Sequence, residues 1–278
     1  MSALLKDKKE IIAWLNKYDI KNYDLIEDSK CGFIVGVAGD VDLSKKGLGF
    51  IAVKFGAVDG YFYCQENKLT SLQGCPTSVG GKFDCGMNKL TTLEGGPTLV
   101  GEGFFCGLNR LISLEGVASS VGGDLDCSYN FLKNLQYCPL LLVGDFDCSN
   151  NKLTSLQFCP PSIALNFYCN NNQLTSLKFC PESVGENFNC YDNKLTSLQY
   201  CPTSVGGDFM VFCNNITNLD SMPQSVGGEF DCSENELLRD YQDINDFAKL
   251  KNKLASDKEK SLLSKSLSSD KKNILHKV

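Results

Sequence analysis

The side chains with the most reactive chemistry in this 278-residue chain are fifteen cysteines and a single histidine, His276. Cysteines grouped with one another or with histidine can bind zinc or act as nucleophiles. No Cys-x-x-Cys pair occurs, and His276 lies near the C-terminal end, beyond the last cysteine. We therefore expect no metal site, no cofactor and no catalytic pair, and we predict that the chain is not an enzyme.

The cysteines follow a 21-residue period. Nine copies of the period begin with a large apolar residue, at Phe62, Phe83, Phe104, Leu125, Phe146, Phe167, Phe188, Phe209 and Phe230. Counting each of these as position one, eight cysteines occupy position three and five occupy position fourteen, where other copies carry apolar residues or glycine. Free cysteine packs as a small apolar residue. We interpret these thiols as reduced core residues, with disulfides as the alternative.

Position six of the period is asparagine in all nine copies, which are Asn67, Asn88, Asn109, Asn130, Asn151, Asn172, Asn193, Asn214 and Asn235. An inward asparagine can donate two hydrogen bonds and accept two, which suits buried backbone groups at a repeated turn. A constant period without insertions indicates one small unit stacked on copies of itself.

The residues within each copy predict its path. Positions one to three alternate apolar and polar residues and predict a short strand. Pro at position fifteen breaks any helix on the return side, and Gly-Gly at nineteen and twenty allows a bend into the next strand. A degenerate copy at Val41 adds a tenth strand. The predicted fold is a right-handed parallel β-solenoid of ten coils with a helical cap at each end.

Non-repeating segments flank the stack. We predict an N-terminal cap over residues 1–36, with a helix at 6–17 and strands at 22–26 and 31–37, then the solenoid over 37–238. A C-terminal helical cap and basic tail would occupy 239–278. Helical spacing there is carried by Leu237, Leu238, Tyr241, Ile244, Phe247, Leu250 and Leu254. For the Lys- and Ser-rich residues 256–278 we favour a solvated helix over a membrane-surface or nucleic-acid-binding tail.

The net charge of −6 is unevenly distributed. Residues 241–278 hold nine lysines and five acidic residues, which gives +4 and leaves −10 for residues 1–240. An acidic body argues against nucleic-acid binding, which needs clustered Lys and Arg. No apolar run approaches the ~20 residues of a membrane span, and the first fifteen residues lack the apolar core of a signal peptide. We expect a cytoplasmic protein without membrane contact.

The string Phe-x-Cys-x-x-Asn-x-Leu-x-x-Leu, seen from Phe146 and again from Phe188, resembles a leucine-rich repeat. Its 21-residue length is similar to the short repeats of bacterial effectors. The wording Asn-Lys-Leu-Thr-Ser-Leu, followed by Cys-Pro-x-Ser-Val-Gly-Gly, resembles repeat proteins of bacteriophages and bacteria. The resemblance implies a parallel solenoid that binds a protein partner, with a role in modulating a host or defence protein.

Outward strand positions are the candidate contact surface. Side chains alternate between the two faces of a strand, so positions twenty-one, two and four should face outward. Aromatic and apolar residues gather there toward the C-terminal half, and acidic residues gather in the middle. The candidate partner-binding residues are Phe105, Asp124, Asp126, Asp145, Asp147, Tyr168, Tyr191, Met210 and Phe212. An aromatic cluster rimmed by acids is typical of a protein interface.

We therefore predict a non-enzymatic module that binds a protein, and the acidic residues leave a basic partner open. A structural or virion-associated repeat protein is one alternative. An acidic nucleic-acid mimic is another, and it requires the acids to form a continuous face. The oligomeric state does not follow from the sequence.

Overall fold

The fold is described from a computed structural model that covers residues 4–236, 241 and 246–275, with side chains up to Ser261. It begins with helix α1 (Lys8–Lys17), where the Asp7 carboxylate accepts hydrogen bonds from the amides of Lys9 and Glu10 and so caps the first turn. Strands β1 (Tyr23–Asp28) and β2 (Gly32–Val37) follow as an antiparallel hairpin. Trp14 packs edge-on against Phe55 with ring centroids 6.3 Å apart, so α1 covers the first end of the core.

Ten two-residue strands form one parallel sheet, the long sheet. They are β3 (Val41–Asp42), β5 (Phe62–Tyr63), β7 (Phe83–Asp84), β9 (Phe104–Phe105), β11 (Leu125–Asp126), β12 (Phe146–Asp147), β14 (Phe167–Tyr168), β16 (Phe188–Asn189), β18 (Phe209–Met210) and β20 (Phe230–Asp231). Each residue pairs with the residue 21 positions away, as Phe146 does with Phe167. The predicted solenoid with ten strand positions is confirmed.

The return side of the coils is also extended and forms two further sheets. Six strands, namely β1, β2, β4 (Lys54–Val58), β6 (Ser78–Val79), β8 (Leu99–Val100) and β10 (Ser120–Val121), make the first. Four strands, namely β13 (Ser162–Ile163), β15 (Ser183–Val184), β17 (Ser204–Val205) and β19 (Ser225–Val226), make the second. The intervening coil has no strand over 140–143, and Leu141 is 74% exposed there.

Glycine at position nineteen reflects the close approach of neighbouring coils rather than a bend. A Cβ added at Gly101 would collide with the carbonyl oxygen of Gly80, and one added at Gly122 would collide with that of Gly101. At the break between the two return sheets, position nineteen is Val143 and then Ala164. Because these residues have a Cβ, their coils cannot approach the preceding carbonyl in the same way, and this explains where the return side divides.

The core consists of stacked rows. Phe167 and Phe188 stack with ring centroids 5.3 Å apart, and Phe188 and Phe209 with centroids 5.0 Å apart. The leucines at positions eight and eleven are fully buried beside them. Ten of the fifteen cysteines are buried, and burial raises the pKa of thiols such as that of Cys169 well above the usual range. Most of the cysteines therefore serve as core side chains, as predicted.

The asparagines at position six form a ladder along the inside of the turn. The Nδ2 group of Asn130 donates to the carbonyls of Cys106, Cys127 and Ser128 at 3.0–3.1 Å. Its Oδ1 accepts from the amide of Leu111 at 2.9 Å. Each asparagine thus satisfies backbone groups of its own coil and of the preceding one, which is the role predicted for it.

Helix α2 (Phe247–Leu275) follows the last coil. Phe247 packs against Phe230 with ring centroids 5.6 Å apart, and Leu250 is fully buried. Lys251 Nζ donates to the carbonyl of Gln224, so α2 covers the second end of the core. The predicted cap residues Leu237, Leu238 and Ile244 lie outside the described residues. One continuous helix runs through the cap and into the basic tail.

Candidate interaction surfaces

The outward side of the long sheet, the long-sheet face, contains all nine predicted contact residues. Phe105, Asp126, Asp147, Tyr168 and Met210 lie in the strands at position two. Asp124 and Asp145 precede their strands, and Tyr191 and Phe212 follow theirs. Every one of these side chains is half-buried rather than fully exposed. Residues of the neighbouring strands cover part of each of these side chains, and only the remaining part is exposed to solvent.

Tyr168, Tyr191, Met210 and Phe212 form an aromatic patch at one end of this face. The rings of Tyr191 and Phe212 stack with centroids 4.5 Å apart and planes 6° apart. Tyr168 is one strand from Asn189, which is one strand from Met210. Phe105 is separated from this patch by two coils that carry aspartates, and the Lys82 ammonium lies 5.7 Å from its ring centroid. Phe105 is therefore not part of the aromatic patch.

Asp124, Asp126, Asp145 and Asp147 form an acidic stripe next to the patch. Asp126 and Asp147 are direct neighbours across paired strands. Burial raises the pKa of Asp147 to about 6, and the carboxylates of Asp126 and Asp145 add to the rise. Because this pKa is close to neutral pH, the charge of the stripe changes with pH near neutrality.

The aspartates of the stripe also bind the backbone, which the sequence did not predict. Asp124 Oδ1 accepts from the amide of Asp145, and Asp145 Oδ1 accepts from the amide of Asn166, both at 2.9 Å. Asn166 and Asn187 continue this ladder with their own amide oxygens. Asparagine therefore replaces aspartate at position twenty-one without loss of the bond. Because Asn166 and Asn187 are neutral, the acidic stripe ends there and is not a continuous face.

A second aromatic surface, which the sequence analysis missed, lies at position thirteen on the return side. Tyr137, Phe158, Phe179 and Tyr200 form this aromatic row in four successive coils, and each is 47–56% exposed. All four have positive φ angles of 69–72°. The sequence signal that could have revealed this row is the alignment of its residues with Gly74, Gly95 and Gly116, which occupy the same position in earlier coils.

A tight turn imposes this backbone conformation. The amide of Cys159 donates to the carbonyl of Leu156 at 2.9 Å, so Phe158 is the third residue of a four-residue turn. Positive φ at that place favours glycine, and for a bulky residue it costs about 1–2 kcal/mol. Four successive coils have an aromatic residue at this position in spite of the cost, although the first three copies have glycine there.

Two absences concern the described part of the chain. Among the residues that the structure describes, no group of three or more His, Cys, Asp or Glu side chains is placed to bind a metal ion. Among the helices that the structure describes, none is long and apolar enough to cross a membrane.

Comparison with known proteins adds a structural similarity. No protein-family model matches the chain, and no curated protein matches it. Among solved structures, YopM from Yersinia enterocolitica WA-314 is similar with a TM-score of 0.45 and 19% identity over 71% of this chain. The match spans 56% of the YopM chain. The 21-residue strand register and the asparagine ladder of the chain itself show that it folds as a leucine-rich-repeat solenoid, a fold typical of non-enzymatic protein-binding modules.

Proposed function

We propose that the chain is a non-enzymatic module that binds a basic protein partner through the long-sheet face. The observation that carries the proposal is the contiguity of the acidic stripe and the aromatic patch, which meet where Asp147 neighbours Tyr168. Aromatic side chains supply contact area at an interface core, and a charged rim steers an oppositely charged partner. The resemblance of the repeat to phage and bacterial proteins supports a role in modulating a host or defence protein in the cytoplasm.

Affinity capture from a bacterial lysate, followed by mass spectrometry, tests the aromatic patch. We expect the triple variant Tyr168→Ala, Tyr191→Ala, Phe212→Ala to lose its captured partner, because truncating an interface aromatic at a hot spot costs about 2 kcal/mol or more. Tyr129→Asn is the matched control, since Tyr129 is exposed and other coils carry asparagine at its position. Capture at wild-type strength by the triple variant would remove the patch from the proposal.

The acidic stripe is tested without disturbing the ladder. Asp124→Asn, Asp126→Asn and Asp145→Asn remove three charges but keep an oxygen for each backbone bond, as Asn166 does naturally. For a basic partner we expect slower association and a weaker dependence on salt. An unchanged association rate at low salt would show that the partner is not recognised by charge.

The two alternatives make different demands on the structure. A nucleic-acid mimic needs a continuous acidic face, and Asn166 and Asn187 interrupt it. A structural, virion-associated role predicts that the chain is recovered with particle proteins in the capture experiment, whereas a modulator is recovered with a host protein.

A further inference from the structure

The aromatic row presents four half-exposed rings on a strip without acidic side chains. Positions nine to thirteen of these coils cover residues 133–137, 154–158, 175–179 and 196–200, and they contain no Asp or Glu. The same positions hold Glu94, Glu115 and Asp220 in neighbouring coils. Lys178 lies against the strip, with its ammonium 5.1 Å from the ring centroid of Phe179. The strip is thus a neutral-to-basic surface on a body of net charge −10.

The order of the rings along the stack is symmetric. Read in either direction it is Tyr, Phe, Phe, Tyr, from Tyr137 to Tyr200. A two-fold axis between the coils of Phe158 and Phe179 would place each tyrosine opposite a tyrosine and each phenylalanine opposite a phenylalanine. In an isologous interface between two copies of one chain each residue pair occurs twice, and here every such pair would bring one ring against another.

From these observations we infer that the aromatic row is a dimer interface, with a second copy of this chain packed antiparallel against it. The strip is a surface where two acidic bodies can approach without facing acids from both sides. It lies on the return side of the coils and is separate from the long-sheet face, so the inference does not depend on the proposed function.

The area available fits a dimer of modest strength. A tyrosine or phenylalanine buries about 150–250 Å² when fully covered, so four half-exposed rings offer about 400 Å² per copy. Two copies would bury about 800 Å² from the rings alone, so the flanking Gln, Lys, Ser and Thr side chains need to add about 200 Å² to reach the ~1,000 Å² of a specific interface. Dissociation in the micromolar range is the expected behaviour.

Glycine substitutions test the interface without endangering the fold. Sedimentation velocity across the micromolar range should show the full chain passing from monomer to dimer as concentration rises. We expect the double variant Phe158→Gly, Phe179→Gly to remain monomeric. At protein concentrations where the wild type is monomeric, its melting temperature should stay close to that of the wild type, because glycine fits the positive φ at these positions as it does at Gly95 and so offsets the loss of the half-buried rings.

The matched control is the double variant Met87→Gly, Leu108→Gly. These residues are also half-exposed, at 50% and 49%, and also have positive φ, but they lie at position five on another edge of the coil. We expect this control to dimerise as the wild type does. A wild type that stays monomeric would overturn the inference, as would dimerisation of the Phe158→Gly, Phe179→Gly variant at wild-type strength or loss of the dimer in the control.

A charge substitution tests the antiparallel order. Under the proposed two-fold axis, Gln157 of one copy lies opposite Lys178 of the other, whereas Gln136 lies opposite Gln199. Gln157→Lys should therefore raise the dissociation constant severalfold more than Gln136→Lys does. Equal effects would overturn the antiparallel arrangement, and assembly beyond the dimer would overturn the closed two-fold interface.

Discussion

The two exposed surfaces of this solenoid differ in how they are connected to its backbone. On the long-sheet face, Asp124 and Asp145 each give one carboxylate oxygen to the amide of the next coil. On the return side, Phe158 and Phe179 adopt a backbone conformation with positive φ, which is unfavourable for bulky residues. The bonds of Asp124 and Asp145 therefore join neighbouring coils, whereas the residues of the aromatic row carry a cost in backbone conformation. Because position five also has positive φ in every coil, the indication of a contact outside the chain is the run of four large exposed rings at position thirteen and not the backbone cost alone.

The largest expected effect concerns the inner ladder, which is formed by the asparagines at position six. It gives the reference loss of stability for side chains that hydrogen-bond to the backbone. Asn130→Ala removes four hydrogen bonds and leaves the buried amide of Leu111 without an acceptor, whereas the three carbonyls keep their other donors. We expect a loss of about 3 kcal/mol in the free energy of unfolding, since the unsatisfied amide costs about 1–3 kcal/mol and the lost bonds to the carbonyls add to it. Urea unfolding measures it, with exposed Thr154→Ala as the control. A loss equal to that of the control would contradict the ladder's role.

A smaller effect of opposite sign is expected from Asp147→Asn. The pKa of Asp147 is about 6 in the folded chain, against 3.8 as the ordinary value. The folded state therefore holds the proton more tightly, so this group favours folding below about pH 4, and the contribution is lost as pH rises through about 6. At pH 7 the variant should gain about 1–2 kcal/mol, because asparagine buries no charge.

Unfolding curves at several pH values check the Asp147 prediction. The difference between Asp147→Asn and wild type should shrink between pH 7 and pH 4. Asp192→Asn, at an exposed aspartate, is the control. A stability difference that is independent of pH would show that ionisation of Asp147 is not its cause.

The outer ladder, formed by the aspartates and asparagines at position twenty-one, should contribute less to the free energy of unfolding than the inner ladder does. Asp145→Ala removes the acceptor for the amide of Asn166 at a half-buried position. We expect a loss of about 1 kcal/mol, which is the net value of a typical hydrogen bond. Asp145→Asn should lose nothing, because Asn166 makes the same bond to the next coil. Equal losses for the two variants would mean that charge, rather than the hydrogen bond, stabilises this face.

The smallest effect is expected at the aromatic row. Phe158→Gly relieves the positive φ, worth about 1–2 kcal/mol, but glycine loses about 0.5–1 kcal/mol more chain entropy on folding. Loss of the buried half of the ring costs about 1 kcal/mol more. We expect these terms to leave a change in the free energy of unfolding within about 1 kcal/mol of zero. Thermal unfolding of the variant at low protein concentration, where the wild type is monomeric, measures this difference. A clear destabilisation would mean that the ring supports its own coil and would weaken the contrast between the two surfaces.

The sequence predicted the parts of the structure that depend on period and polarity. Because each strand residue pairs with its equivalent 21 positions away, the spacing of Phe146 and Phe167 was sufficient to predict the parallel register. The inward asparagines followed from the need to satisfy turn backbone. Pattern alone did not reveal that Asp145 accepts a bond from the next coil, since the same spacing fits an outward, solvated carboxylate equally well.

Only the tertiary structure decided the properties that depend on backbone angles and on distances between coils. The sequence by itself determined a stack of ten coils with a phenylalanine, leucine and cysteine core, because a strict period leaves one way to bury these rows. It did not show that the turn around Phe158 has positive φ, or that the carbonyl of Gly80 leaves no room for a Cβ at Gly101. Both arise from contacts between atoms that are distant in sequence or from the closure of a turn. For that reason the exposed aromatic row and the break at Val143 became visible only when the coils were stacked.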